Sequence, residues 1–305
     1  MVSPVNRARP AGPPAPFVVG LTRSGTTLLR MMLDAHGELT IPPETHFVPD
    51  LIKAAKEPGA ELDSVLETLT TNRTWGDFGI DEQSMRERLA TALRERPGDG
   101  GAATRAFFEV YAERQGKPRW GDKTPAYMLA VTRIGRALPE ARFVHLIRDG
   151  RDVALSQRAR AINQQPRAPE QAERWVKRIL KSREQAAKLG GERYLETRYE
   201  DLVRSPEPTL RRICEFVELD YDAGMLGYHK RAAERLREMA GELRTDGGHA
   251  KQEAGYRVDN HRPTTEPPDP SKLDRWRREM EPGELRSYEQ VAGPLLVELG
   301  YEANV

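Results

Sequence analysis

The segment Gly20-Leu21-Thr22-Arg23-Ser24-Gly25-Thr26-Thr27 holds the residue types of an anion-binding loop. Its glycines are separated by four residues and hydroxyl residues follow the second. A turn of this kind aims backbone N–H groups inward, and the helix after it adds its positive end. The chemistry is capture of a phosphate or sulfate group. A triphosphatase loop of this spacing would carry lysine before the last hydroxyl, where this chain has Thr26, and the nearest cation is Arg23 inside the loop. The apolar run Phe143-Val144-His145-Leu146-Ile147 offers no acid for magnesium and is followed by Arg148. The loop therefore suits an anion held without a metal clamp.

Arg148 begins a second candidate. It stands where a buried strand should end, the place where ligands bind in open parallel sheets. Asp152 and Ser156 follow at four-residue steps, so the three share one helix face. A guanidinium and a hydroxyl on one edge can clamp a phosphate. The same residues can equally form a salt-bridge cluster at a helix start, since Asp149 and Asp152 suit a first turn.

A proton acceptor is sought near the first loop. Pro42-Pro43-Glu44-Thr45-His46 offers Glu44 and His46 on a backbone stiffened by proline. Gly121-Asp122-Lys123-Thr124-Pro125 supplies Lys123, with Asp122 expected to orient it through a charge-assisted bond. Thr124 and Pro125 there also read as the start of a helix.

The elements that position these groups alternate between strand and helix. Strands are expected at Phe17–Leu21, Ala141–Ile147 and Tyr194–Thr197. Helices are expected at 27–35, over most of 51–116, and at 126–138, 149–161, 168–189, 206–218, 223–240 and 283–299. This order predicts an α/β fold with a parallel sheet flanked by helices. Residues 1–15 read as a disordered arm and 16–305 as one domain. Within it, 51–116 is a helical insertion over the site, and the polar stretch 241–277 is a lid loop.

Composition narrows the function. The chain has 305 residues, with 48 basic and 47 acidic side chains, and its formal net charge is +1. That balance argues against a nucleic-acid or membrane-surface partner. The only cysteine, Cys214, reads as a small buried apolar residue. No apolar run reaches the ~18 residues of a membrane helix, and the first sixteen residues lack the apolar centre of a secretory signal. A cytoplasmic protein is the expectation.

With these residues in view, Arg23-Ser24-Gly25-Thr26-Thr27 resembles the 5′-phosphosulfate loop of the sulfotransferases that use 3′-phosphoadenosine-5′-phosphosulfate (PAPS). The longer run from Arg23 through Leu33-Asp34-Ala35-His36 to Glu44-Thr45 is similar to the tyrosylprotein sulfotransferases and their bacterial relatives. The similarity covers 17–47, 118–160 and 193–219, and more loosely 271–301. It implies sulfonyl transfer from PAPS to an acceptor hydroxyl of a small molecule or peptide, leaving 3′,5′-ADP (PAP), with no metal. It implies Glu44 rather than His46 as base, and Arg23 and Lys123 on the sulfonyl group and leaving phosphate. Ser24, Gly25, Thr26 and Thr27 would take the 5′-phosphate, and Arg148 and Ser156 the 3′-phosphate. Arg198-Tyr199-Glu200-Asp201 is similar to the family's Tyr-Glu-Asp segment, which implies Tyr199 near the adenine. Trp276 reads as a packed aromatic, and no contact is assigned within 257–277. The rival readings are a P-loop kinase or NTPase, and a nucleotide-binding module without catalysis. The first requires a loop lysine and an acid for magnesium. The second is opposed by the presence of both Glu44 and Lys123.

Overall fold

The computed structural model describes residues 12–57, 59–159, 167–239 and 256–303. Residues 1–11 of the arm expected at 1–15, and 241–255 of the lid expected at 241–277, lie outside the described residues, and Ala15, expected in the arm, begins the first strand by pairing with Ala141.

In chain order the elements are β1 (Ala15–Val19), α1 (Thr26–Asp34), β2 (Leu39–Thr40), α2 (Val48–Ala54), α3 (Leu62–Thr70), α4 (Glu82–Glu95), α5 (Gly100–Arg114), β3 (Arg119–Trp120) and β4 (Asp122–Lys123). After β4 come α6 (Val131–Ala137), β5 (Ala141–Ile147), α7 (Gly150–Arg158), α8 (Ala168–Ala187) and β6 (Tyr194–Arg198). The C-terminal part holds α9 (Tyr199–Arg204), α10 (Pro206–Phe216), α11 (His229–Arg237), α12 (Tyr256–His261), α13 (Trp276–Glu279) and α14 (Pro282–Glu298). The central sheet has the order β4-β1-β5-β6 with every pair parallel, and β2 pairs with β3 separately.

Side chains alternate across the sheet and each face meets its own core. From β1, Ala15, Phe17 and Val19 join one apolar cluster and Val18 the other; from β5, Phe143 and Ile147 oppose Val144 and Leu146. The first cluster is covered by α2 to α6, α8 and α14, and the second by α1 and α9 to α11. Burial on both faces explains why these strands read as continuous apolar runs. The fold is α/β, as the alternation of elements predicts.

Several boundaries differ from the sequence expectation. β1 ends at Val19 because Gly20 leaves the sheet and donates its N–H to Pro125 O at 3.3 Å. The helix expected at 126–138 is a 3₁₀ turn (Pro125–Leu129) followed by α6, with the break at Ala130, whose φ is −124°. The helix expected at 223–240 opens as a 3₁₀ turn (Ala223–Gly227) capped by Asp222 before α11 begins. Part of the stretch expected to be a loop is ordered as α12 and the 3₁₀ turns Arg262–Thr265 and Pro270–Lys272. Cys214 is buried with its Sγ 3.8 Å from Met225 Sδ. Among the described residues no helix is long and apolar enough to cross a membrane.

Candidate active site

The carboxyl ends of all four central strands converge on one cleft. β1 leads into the Gly20–Thr27 loop, β4 ends on Lys123, β5 runs into Arg148 and β6 into Tyr199. The cleft has a volume of about 760 Å³ and its lining includes Arg23, Gly25, Thr26, Thr27, Glu44, Arg148 and Tyr199. That size falls in the range of small-molecule and cofactor sites.

The loop is shaped by backbone that most residues avoid. Gly25, which caps α1, has φ of 89°, and Arg23 has φ of 78°. Such values are easy for glycine and cost a side-chain-bearing residue roughly 1–2 kcal/mol. Glycine is needed at position 25 for a second reason, since a Cβ there would fall 2.3 Å from Tyr199 Cδ2. Ser24 is buried and its Oγ has no hydrogen-bond partner among the described residues. A buried hydroxyl without a partner beside a helix start fits an incoming anion.

The two expected phosphate sites touch. Arg23 Nε donates to Ser156 Oγ at 3.1 Å, and Arg148 Nη1 to Arg23 O at 3.4 Å. Arg148 also pairs with Asp152 at 3.2 Å and lies 4.7 Å from the Tyr199 ring centroid. Of the two readings that the sequence leaves equal, the salt-bridge cluster is present, and it leaves Arg148 on the cleft wall. Asp152 Oδ1 accepts from Trp276 N at 3.0 Å, which ties the C-terminal part to α7. Trp276 is buried under the Arg151 guanidinium, 3.5 Å from its ring, and packs as expected.

Glu44 and Lys123 meet although 79 residues separate them. Lys123 Nζ donates to Glu44 Oε1 at 2.6 Å and to Thr27 Oγ1 at 3.3 Å. The lysine missing from the loop sequence is thus supplied in space by the neighbouring strand β4. His46 Nε2 lies 3.0 Å from Glu44 Oε2, so both carboxylate oxygens are engaged. His46 holds a left-handed φ of 57°, and Arg73 Nη2 comes within 3.4 Å of its Nε2. Burial works to raise the Glu44 carboxyl, but the Lys123 ammonium and the His46 ring outweigh it and hold it well below the usual carboxylate range. Burial also lowers the Lys123 ammonium, against the pull of Glu44.

Asp122 does not orient Lys123 directly, contrary to the sequence expectation. Its Oδ1 accepts from Thr45 Oγ1 at 2.7 Å and from Thr124 Oγ1 at 3.3 Å, and Thr124 Oγ1 accepts from Thr45 N at 3.0 Å. Asp122 and Thr124 therefore anchor the loop that carries Glu44, and Thr124 makes no side-chain cap to the turn after it. Burial pushes the Asp122 carboxyl up to about 7 against the Thr45 and Thr124 hydroxyls.

The C-terminal segment forms the far wall. Arg257, His261, Glu266 and Lys272 line the cleft with Tyr228 and Met239. Arg257 donates to Asp77 Oδ1 at 3.1 Å and pairs also with Oδ2, which fastens α12 to the turn after α3. Sequence reading assigned none of these, nor Arg73, Arg174 and Arg178, which line the cleft as well. Their signal in the sequence is charge alone, in a chain where 31% of residues are charged.

Comparison with known proteins gives the family and the fold. The protein-tyrosine sulfotransferase of Drosophila melanogaster is 26% identical over 222 residues, which cover 71% of this chain and 40% of that protein. Protein-tyrosine sulfotransferase 1 of Danio rerio is 24% identical over 297 residues, covering 95% of this chain and 73% of that one. The chain thus spans well under two thirds of the Drosophila protein, and 54% of protein-tyrosine sulfotransferase 2 of Gallus gallus. Among solved structures, the sulfotransferase domain from the curacin biosynthetic pathway superposes with a TM-score of 0.59 at 22% identity, over 96% of this chain and 99% of that one. The sulfotransferase domain of the Synechococcus PCC 7002 olefin synthase gives 0.56 at 23% identity, over 97% and 98%. These two share the fold. The sequence model of the sulfotransferase family matches residues 14–223, well over half of the chain, and the chain belongs to that family.

Proposed function

We propose that this protein transfers a sulfonyl group from PAPS to an acceptor hydroxyl, with Glu44 as the base. The observation that carries the reading is Lys123 Nζ, bonded at once to the Thr27 hydroxyl of the anion loop and to the Glu44 carboxylate. It joins the place for a donor phosphate to the place for a proton.

The donor supplies a sulfonyl group activated by its link to a phosphate. Two features of the chain fit such a guest: the partnerless Ser24 hydroxyl, and Arg23 and Arg148 on the cleft wall with Lys123 buried behind them on Thr27. Ser24, Gly25, Thr26 and Thr27 would hold the 5′-phosphate with N–H and hydroxyl groups. Arg148 and Ser156 would hold the 3′-phosphate, and Tyr199 would border the adenine. Arg23 and Lys123 would stabilise charge that develops on the leaving phosphate.

Glu44 Oε1 is the atom that takes the acceptor proton. Lys123 occupies it in the structure, so an anion beside Thr27 competes for the ammonium and releases that oxygen. Losing its nearest cation also raises the carboxyl toward a useful basicity. His46 stays on Oε2 and fixes the plane of the carboxylate. The acceptor is a small molecule or a peptide hydroxyl, delivered past Glu44 from the open side of the cleft.

Calorimetric titration tests the reading. PAP is expected to bind more tightly than ADP or ATP with magnesium, and Arg148→Ala is expected to weaken PAP by about 10-fold or more. A preference for ATP with magnesium, or unchanged PAP affinity in the variant, would sink it.

A further inference from the structure

Glu44 stands in a loop that its own backbone can hardly hold. Pro42 and Pro43 precede it, are buried and have no N–H to donate. Ile41 is therefore the last residue before Glu44 whose N–H can be tied down, and charged side chains hold both of its polar backbone groups. Ile41 N donates to Asp34 Oδ1 at 2.8 Å. Ile41 O accepts from Arg30 Nε at 3.0 Å and from Arg235 Nη2 at 3.3 Å. Arg30, Asp34 and Arg235 are all buried. On the other side of Glu44 the loop is fixed by Thr45 on Asp122 and Tyr127.

Arg235 is the hub of this cluster. Its Nε lies 2.8 Å from Asp34 Oδ2, and its Nη2 donates to Asp34 Oδ1 at 2.9 Å and to the Tyr111 hydroxyl at 3.0 Å. Its Nη1 pairs with Glu238, and Arg30 Nη2 donates to Oε2 of the same glutamate at 3.3 Å. Arg235 thus ties α11 and α5 to the loop. Thr27, Arg30 and Asp34 follow at three- and four-residue steps along α1, so they share one face. At its start that face meets Lys123 through Thr27 Oγ1, and at its end it meets Ile41. One helix face therefore runs from the cation of the donor site to the anchor of the base loop.

Burying such charges is unfavourable, and well-packed apolar side chains would serve stability as well or better. What a forked guanidinium adds is direction: it fixes a carbonyl and a carboxylate at once, where a lysine offers a point charge. On the strength of the sulfotransferase reading, we infer that Arg235 is a positioning residue for the reaction. Through Ile41 and the two prolines it holds Glu44 against Lys123, with no bond to either among the described residues.

The test is calorimetry with PAP on the full chain, using Arg235→Lys, Glu44→Gln and the double variant, with thermal unfolding to confirm that each folds. Lysine keeps the buried charge beside Asp34 but loses the fork. The loosened Glu44 then gives up part of its hold on Lys123, and PAP is expected to bind about 3-fold or more tightly than in wild type. The double variant is expected to bind PAP no more tightly than Glu44→Gln alone, because both changes act through one contact. Single-turnover loss of sulfonyl from PAPS, to water or to 4-hydroxyphenylacetate, should fall by about 10-fold or more, since a shift of about 1 Å at a reacting group can cost about 10²-fold. A merely structural arginine predicts unchanged or weaker PAP binding. That result, gains that multiply in the double variant, or a rate within about 3-fold of wild type would overturn the inference. Should Arg235→Lys fail to fold, Asp34→Asn takes its place: it keeps an oxygen for Ile41 N and removes the charge that aims Arg235, and the same outcomes apply. If neither folded, the cluster would serve stability alone and the inference would fall. If the wild type failed to bind PAP, the underlying sulfotransferase reading would fall instead.

Discussion

Replacing Glu44 by glutamine should separate catalysis from donor binding. The side chain is 28% exposed and its loop is held from elsewhere, by Thr45 on Asp122 and Tyr127. The fold should therefore survive, although Lys123 is only 1% exposed and loses its charged partner, at a stability cost of about 1–3 kcal/mol. Loss of a general base costs about 10²- to 10⁴-fold in rate, or roughly 3–5.5 kcal/mol of barrier. Donor affinity should move the other way. In the wild type an anion must draw Lys123 from a carboxylate 2.6 Å away. Glutamine is neutral and releases the ammonium. A charged hydrogen bond is worth about 1.5–3 kcal/mol, and recovering part of it would tighten PAP by up to about 10-fold. The assay is single-turnover transfer of labelled sulfonyl from PAPS to 4-hydroxyphenylacetate, alongside calorimetry with PAP. Activity above about one tenth of wild type would refute the base assignment. PAP binding weakened by about 10-fold or more would place Glu44 in the donor site instead.

Gly25→Ala should weaken PAP by about 10-fold or more, because left-handed backbone costs roughly 1–2 kcal/mol and the new methyl displaces Tyr199; an unchanged dissociation constant would count against the loop geometry. Arg151→Met removes a guanidinium from between the buried carboxylates of Asp149 and Glu289, which it meets at 2.8 and 2.5 Å. Breaking such a pair costs about 3–5 kcal/mol, so thermal unfolding should begin roughly 10 °C lower, and a shift under about 2 °C would contradict the burial argument. Asp122 gives a pH signature. Its folded carboxyl is raised to about 7 from 3.8, so its stabilising contribution is full below pH 3.8 and is lost as pH rises toward 7. Asp122→Asn should flatten stability over that window in denaturant titrations, and an unaltered pH slope would show that another group causes it.

The parts of the site legible in the sequence are contiguous ones. Gly20 to Thr27 could be read because strand, loop and helix follow one another, and backbone N–H groups need no distant partner to form an anion cradle. Arg148 was legible because a buried strand precedes it. β4 was not, since two residues carry no period, and Asp122-Lys123 read as a turn. The 3₁₀ breaks at Pro125–Leu129 and Ala223–Gly227 were missed because apolar spacing alone hardly separates one tight turn from a helix.

The sequence by itself determined the fold class, the anion loop and the chemical types present: a carboxylate, a lysine, and arginines in place of a triphosphatase lysine. Local chain geometry suffices for those, because hydrophobic alternation and turn chemistry act over a few residues. Only tertiary structure decided which groups meet. Lys123 reaches Glu44 and Thr27 because β4 pairs with β1 in parallel register. Asp122 became the anchor of the base loop because Thr45 comes within reach of it, and Arg174 and Arg178 became cleft residues because α8 packs beside the turn after Lys123. Electrostatic partnership depends on distances of a few ångströms between residues far apart in the chain, and only the packed sheet and its helices set those distances.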